Sequence, residues 1–235
     1  MNKICLITPP SPFLLDERVF MHIGVLKVAS SLEKRGYDID FIDLSGIENF
    51  LKVIDDYCSD SGTTIFGLTA STPQIPFAVE IAKRIKERLS GVKGILGGPH
   101  VTLMNTASKR ETKKGLHLSD RATKDVSALA EIFDVLVCGD GENAIFDALQ
   151  INKGIVDADD RRSKHFLTND QFSELPLPAR HLVDVDSYNY SIEGKKSVSL
   201  IAQLGCPFKC SFCSGRNSPF LRKIRQRSVD SIIDE

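Results

Sequence analysis

The sequence predicts an α/β fold, a doubly wound parallel sheet of five strands, over roughly its first 150 residues. Two observations predict it. Short β-branched runs alternate with segments of helical period, and the composition, 42% hydrophobic and 26% charged, excludes disordered and fibrous classes. Ile4–Thr8 reads as a buried strand. Ile23, Leu26 and Ala29 trace a helix that Gly36 terminates. A second strand is expected over Asp38–Asp43, a helix over Ile47–Cys58 and a third strand over Thr64–Thr69. Phe77, Ile81, Ile85 and Leu89 recur every four residues and give the clearest helix. Val92–Leu96 and Val135–Cys138 supply the fourth and fifth strands, and Glu142–Gln150 a closing helix.

Between the last two strands, Asn105–Asp125 is crowded with lysine and arginine and reads as a solvated loop or short helix rather than an anion site. Leu175-Pro176-Leu177-Pro178 is an extended linker, because each proline fixes its own φ and moves the preceding residue out of the helical region. Three parts are expected: an α/β domain over 1–155, a linker over 156–195, and a further segment over 196–235 with a strand at Val198–Gln203 and a helix capped by Ser228.

Thirty Lys+Arg against 31 Asp+Glu leave a net charge of −1, so nucleic acid is not an expected partner. No apolar run has the length of a membrane span, and the expectation is a cytoplasmic chain with no membrane partner. In such a chain the six cysteines do not read as disulfides.

In an open α/β sheet ligands sit at the carboxyl ends of the strands. Candidate cofactor-binding residues are therefore Thr8, Pro9 and Pro10 after the first strand; Thr69, Ser71 and Thr72 after the third; Gly97, Gly98, Pro99 and His100 after the fourth; and Gly139, Gly141 and Glu142 after the fifth. A dinucleotide site needs a glycine-rich first loop whose N–H groups approach the pyrophosphate, and prolines 9, 10 and 12 have no N–H to give. The loops suit a large, mostly neutral ligand; the alternative is that glycine, proline and serine here simply make turns. His22, His117, His165 and His181 have no partners at ligand spacing, and Asp43 reads as a turn residue.

Cys206, Cys210 and Cys213 form C-x3-C-x2-C directly after a predicted strand. Soft thiolates at this spacing suit zinc or an iron–sulfur cluster. Structural zinc wants four ligands, and Cys5, Cys58 and Cys138 are scattered as small buried hydrophobes. Three local thiolates leave one metal position open.

This loop, with Phe212 before its third cysteine, resembles the signature of radical S-adenosylmethionine (SAM) enzymes. The resemblance implies that Cys206, Cys210 and Cys213 hold three irons of a [4Fe-4S] cluster, that SAM chelates the fourth iron, and that Phe212 contacts the adenine. Reductive cleavage of SAM then requires a one-electron reductant such as flavodoxin or ferredoxin. Upstream, Gly97-Gly98-Pro99-His100, Cys138-Gly139-Asp140-Gly141-Glu142 and Leu175–Arg180 precede the cysteine loop in the order seen in radical SAM proteins with an N-terminal cobalamin-binding domain. The implied architecture is a Rossmann-like cobalamin-binding domain followed by the first β/α unit of a truncated partial (β/α) barrel.

The histidine motif Asp-x-His-x-x-Gly of methionine-synthase-type cobalamin proteins is absent: His22 has Phe20 two places before it and Gly24 two after. Cobalamin is therefore expected without a histidine ligand from that motif. The basic run Arg216, Arg222, Lys223, Arg225 and Arg227 reads as a solvated surface, with contact to SAM or to a reductant as the other reading.

A partial barrel needs near 200 residues, and 29 follow Cys206. The expectation is a chain inactive alone, either a fragment or one half completed by a separate chain, whose parent is a methyltransferase or cyclase-type radical enzyme. The competing expectation is a non-catalytic corrinoid-binding module whose cysteine loop is vestigial or holds zinc.

Overall fold

The computed structural model describes residues 3–114 and 120–235; His117 and part of the expected basic loop lie outside them. Six strands, β1 (Lys3–Thr8), β2 (Asp38–Asp43), β3 (Ile65–Thr69), β4 (Lys93–Gly97), β5 (Val135–Cys138) and β6 (Gly154–Asp157), form one parallel sheet in the order β2-β1-β3-β4-β5-β6. The sixth strand corrects the expected five. It is a short edge strand in which Ile155 is 43% exposed and only Val156 is buried, so it carries no readable apolar run.

Helices cover both faces. On one, α1 (Ile23–Glu33) and α6 (Gly141–Gln150) pack Ala29, Leu32, Ala144 and Ile145 against Ile4, Leu6, Ile95 and Val137. On the other, α2 (Phe50–Asp60), α3 (Ile75–Arg88) and α5 (Arg121–Ile132) pack Ile54, Ile81, Ile85 and Leu129 against Ile7, Phe66, Leu68 and Leu136. The strand order turns back between β1 and β3, which opens a crevice at the carboxyl ends of these strands.

The stretch expected to be a solvated loop or short helix is covered, among the described residues, largely by two longer helices. Helix α4 runs Pro99–Lys114, with its proline at the first position, where no N–H is needed, and α5 follows. Beside Val101 and Met104, its buried positions include Thr102, Asn105 and Thr106, and each of these polar side chains is hydrogen-bonded, so much of the inward face is polar.

After β6 the chain forms a one-turn helix α7 (Asn169–Ser173) and then the proline linker, and Ala179 N–H donates to Leu26 O (3.0 Å), which docks the linker on α1. Short ribbons follow: β7 (Ser191–Ile192) with β8 (Lys195–Lys196), and β9 (Gln203–Leu204) antiparallel to β10 (Arg225–Gln226). The strand expected over Val198–Gln203 is thus reduced to two residues with an antiparallel partner, and Val198 and Leu200 stand half-exposed. Ser228 caps the final helix α8 (Val229–Asp234), accepting from Ser231 N–H. Among the described residues no helix is long and apolar enough to cross a membrane.

Candidate functional site

A cavity of about 530 Å³ lies at the carboxyl edge of the sheet, on the face covered by α1 and α6. That volume is in the range of small-molecule and cofactor sites. Leu6, Gly67, Ile95, Gly97 and Val137 make its floor. Two of these five have no side chain. A Cβ on Gly67 would meet Leu6 Cδ2 at 2.8 Å, whereas one on Gly97 would find nothing nearer than Val137 O at 3.7 Å, an ordinary van der Waals contact. The first turns of α1 and α6 and the β4–α4 junction wall the cavity, and Ile201, Leu204, Phe220 and Leu221 roof it from the C-terminal segment.

Of the residues singled out in the sequence, Thr69, Gly97, Gly98, Pro99, Gly139, Gly141 and Glu142 line this cavity. Gly98 has φ +100°, and a Cβ there would lie 2.8 Å from Ala70 N, so only glycine fits the turn. Thr102 ties the two glycine loops together: its hydroxyl donates to Gly98 O and accepts from Gly139 N–H, both at 2.9 Å.

The other predicted contacts lie off the cavity wall. Thr8, Pro9 and Pro10 are buried, and Pro9 O accepts from Gln74 Nε2 (2.9 Å). Ser71 Oγ donates to Gln74 Oε1 at 2.8 Å. Thr72 Oγ1 is 3.0 Å from His100 Nδ1, whose ring reaches Asp125 through Nε2 at 2.8 Å. These residues brace the opposite side of the sheet edge. His165 and His181, which have no partners at ligand spacing, pair with the carboxylates of Asp147 and Glu33, both at 2.9 Å.

His22 does line the cavity, and burial pushes its pKa below the ordinary value while Asp43 opposes the shift. Asp43 accepts from Ser45 N–H (3.0 Å) and from Tyr188 OH, a turn and docking role.

Sequence reasoning missed the charges in the wall. Lys27 Nζ is 2.6 Å from Glu142 Oε1, and Arg225 bonds the Asp140 carboxylate; the exposures of these four side chains run from 1% to 7%. Phe172 lies against both cations, 4.4 Å from Lys27 Nζ and 5.2 Å from Arg225 Cζ. Burial, reinforced by the Glu142 charge, pushes the Asp140 pKa up to about 6, with Arg225 and Lys27 pulling the other way. Lys27 was readable in principle, since it stands four residues after the buried Ile23 on the inward face of α1.

Cys206, Cys210 and Cys213 are free and exposed on one loop. The loop folds back on residues 221–223. Cys206 N–H donates to Leu221 O (2.9 Å), and Arg222 donates to Pro207 O and Phe208 O, both at 2.5 Å. A Cβ on Gly205 would stand 2.0 Å from Lys223 O, so the close approach requires glycine. Phe212 is 90% exposed. The donor set fits a centre held by three thiolates, although among the described residues no three Cys, His, Asp or Glu side chains converge as a single-ion site. The basic run is not a plain solvated surface: Arg216 donates to Ser211 O, Arg227 to Ser231 O (2.6 Å), and Arg225 is 1% exposed. Cys5, Cys58 and Cys138 are buried, and burial raises their thiol pKa values.

The family described as B12 binding domain matches residues 18–117, from the approach to α1 through α4. Residues 18–117 are similar to a B12-binding domain. Over nearly its whole length the chain is also similar to longer proteins. An uncharacterized methyltransferase, PH0819, of Pyrococcus horikoshii is 26% identical and matches 99% of this chain and 49% of its own length. The cobalamin-dependent SAM radical enzyme OxsB, solved with aqua-cobalamin and SAM bound, superimposes with a TM-score of 0.68 at 16% identity, covering 100% of this chain and 31% of OxsB. The radical SAM methyltransferase TsrM of Kitasatospora setae, solved with cobalamin and a [4Fe-4S] cluster, gives 0.61 at 16% identity, with 100% and 45% covered. These solved structures share the fold of this chain. The chain spans about half the length of the curated relative, or less in the case of the solved structures.

Proposed function

We propose that this chain binds cobalamin in the cavity over β1, β3, β4 and β5 and carries a [4Fe-4S] cluster on Cys206, Cys210 and Cys213, with SAM at the open iron, as part of a radical SAM methyltransferase. The observation that carries the reading is the bare backbone of Gly67 and Gly97 in a floor otherwise made of Leu6, Ile95 and Val137, at the carboxyl edge of the sheet. A flat, amide-fringed corrinoid needs close backbone approach and apolar surface, and the cavity offers both. The parts proposed are 1–155 for cobalamin, 156–195 as linker and 196–235 for the cluster loop.

Cobalamin and the cluster with SAM supply methyl-carrying and one-electron chemistry when bound. This chain's residues bind and orient. Gly98 and Gly139 keep the loops low, and Thr102 holds them together. Leu204, Phe220 and Leu221 exclude water from above. Arg222 braces the carbonyls of the cysteine loop, and Phe212 stands free to stack on an adenine. A one-electron reductant is the implied protein partner.

The test is anaerobic titration of the chain with hydroxocobalamin, followed by visible absorption and equilibrium dialysis, and separate reconstitution with iron and sulfide. Stoichiometric corrinoid, and about four irons per chain that are lost in the Cys206→Ala/Cys210→Ala/Cys213→Ala variant, support the reading. Absence of corrinoid binding removes its first half, and stoichiometric zinc in place of iron removes its second.

A further inference from the structure

Asp140 belongs to two parts of the molecule at once. Its loop forms one wall of the cavity, and its carboxylate accepts from Arg225. Arg225 lies in β10, paired with Leu204 of β9, and β9 leads directly into Gly205 and Cys206. A second tie runs parallel to this one. Asp159, just beyond β6, accepts at 2.8 Å from both Ser218 Oγ and Phe220 N–H, and the cavity roof at Leu221 accepts from Cys206 N–H.

Ionic ties are an uneconomical way to hold a segment in place. Apolar residues of similar volume commonly give equal or greater stability than a buried ion pair. What this guanidinium adds is placement: Nη1 donates to the Asp140 carboxylate while Nη2 donates to Phe220 O (3.4 Å), so one rigid planar group spans the cavity wall and the roof segment.

We propose that Arg225 is a positioning residue that transmits occupancy of the cavity to the cysteine loop. A corrinoid seated against Gly139–Glu142 fixes Asp140; Asp140 fixes Arg225; and β10 and β9 hold residues 203–226, with the three cysteines among them, in one placement over the cavity. The inference rests on the cobalamin reading above. A ligand biases a distant segment only through contacts that differ between its two states, and the proposal assigns that part to the Asp140–Arg225 bond.

Amide hydrogen exchange of the full chain, with and without saturating hydroxocobalamin, tests this. In the wild type the ligand is expected to slow exchange across 203–226 about tenfold. Arg225→Met, whose side chain lies outside the cavity lining, is expected to bind hydroxocobalamin but to lose that slowing, and Arg225→Lys, with charge but no planar guanidinium, to regain part of it. Equal slowing in the wild type and Arg225→Met overturns the proposal, as does a wild type that binds without slowing. If Arg225→Met does not fold, the Asp140→Asn/Arg225→Gln pair, which leaves neither of these two charges buried, is read at saturation in its place. A wild type that binds no hydroxocobalamin overturns the cobalamin reading and this proposal together, whereas binding without slowing overturns this proposal alone.

Discussion

Lys27 Nζ, in the second turn of α1, stands 2.6 Å from Glu142 Oε1 in the first turn of α6, and the two side chains are 6% and 7% exposed. This contact clamps together the two helices that form the cavity walls. Removing one partner strands the other charge out of water. Lys27→Met is expected to cost about 3–5 kcal/mol in urea unfolding, and Lys27→Met/Glu142→Gln to recover most of it. Additive losses in the double variant would show that the two residues are independent.

Gly97 discriminates a ligand floor from a packing glycine. A side chain there meets no backbone closer than 3.7 Å, so Gly97→Val is expected to fold with stability within about 1 kcal/mol of the wild type. Its branched side chain would occupy cavity space, and hydroxocobalamin affinity is expected to fall at least about tenfold in an absorption titration. A stable Gly97→Val with unchanged affinity would move the binding site elsewhere.

His100 is the contrasting case. Its ring is fixed between Thr72 and Asp125 and lies off the cavity wall. His100→Ala is expected to destabilise by about 1–3 kcal/mol, because a buried ring is removed together with its two hydrogen bonds, with hydroxocobalamin affinity unchanged. Thermal unfolding and the same titration separate the two effects.

What the sequence made legible follows from where its signals are physical rather than contextual. The strands β1 to β5, the Ile81–Ile85 face of α3 and the glycine loops at 97–98 and 139–141 were readable because apolar period and glycine act locally. Helix α4 was not readable, since Thr106 buries its hydroxyl by bonding Thr102 O and the Asp159 carboxylate, a solution that mimics a solvated face. Arg225 was counted with a basic surface run, because only the tertiary approach of Asp140, 85 residues away, makes it a buried cation. The same limit applies to His100: Gly-Gly-Pro-His places it beside a ligand edge, and the helix that begins at Pro99 turns its ring to the other side.

The Asp140 carboxyl gives a pH dependence whose sign is fixed by burial. Its ordinary value of 3.8 is pushed up to about 6, first by burial and then by the Glu142 charge. Between these values the folded chain holds a proton that the unfolded chain has released. The stability linked to this group is therefore fully present below about pH 4 and is lost as pH rises through about 6. Unfolding free energies of the wild type and Asp140→Asn at pH 4 and pH 7 check this. The difference is expected to move by about 2–3 kcal/mol in favour of Asp140→Asn as the pH rises, because asparagine has no charge to bury. A difference that stays flat would mean that Arg225 fully compensates the carboxylate and that the pair is a net source of stability. A difference that moves as expected means that the Asp140–Arg225 bond is kept at a stability cost near neutral pH, as a contact whose value is placement requires.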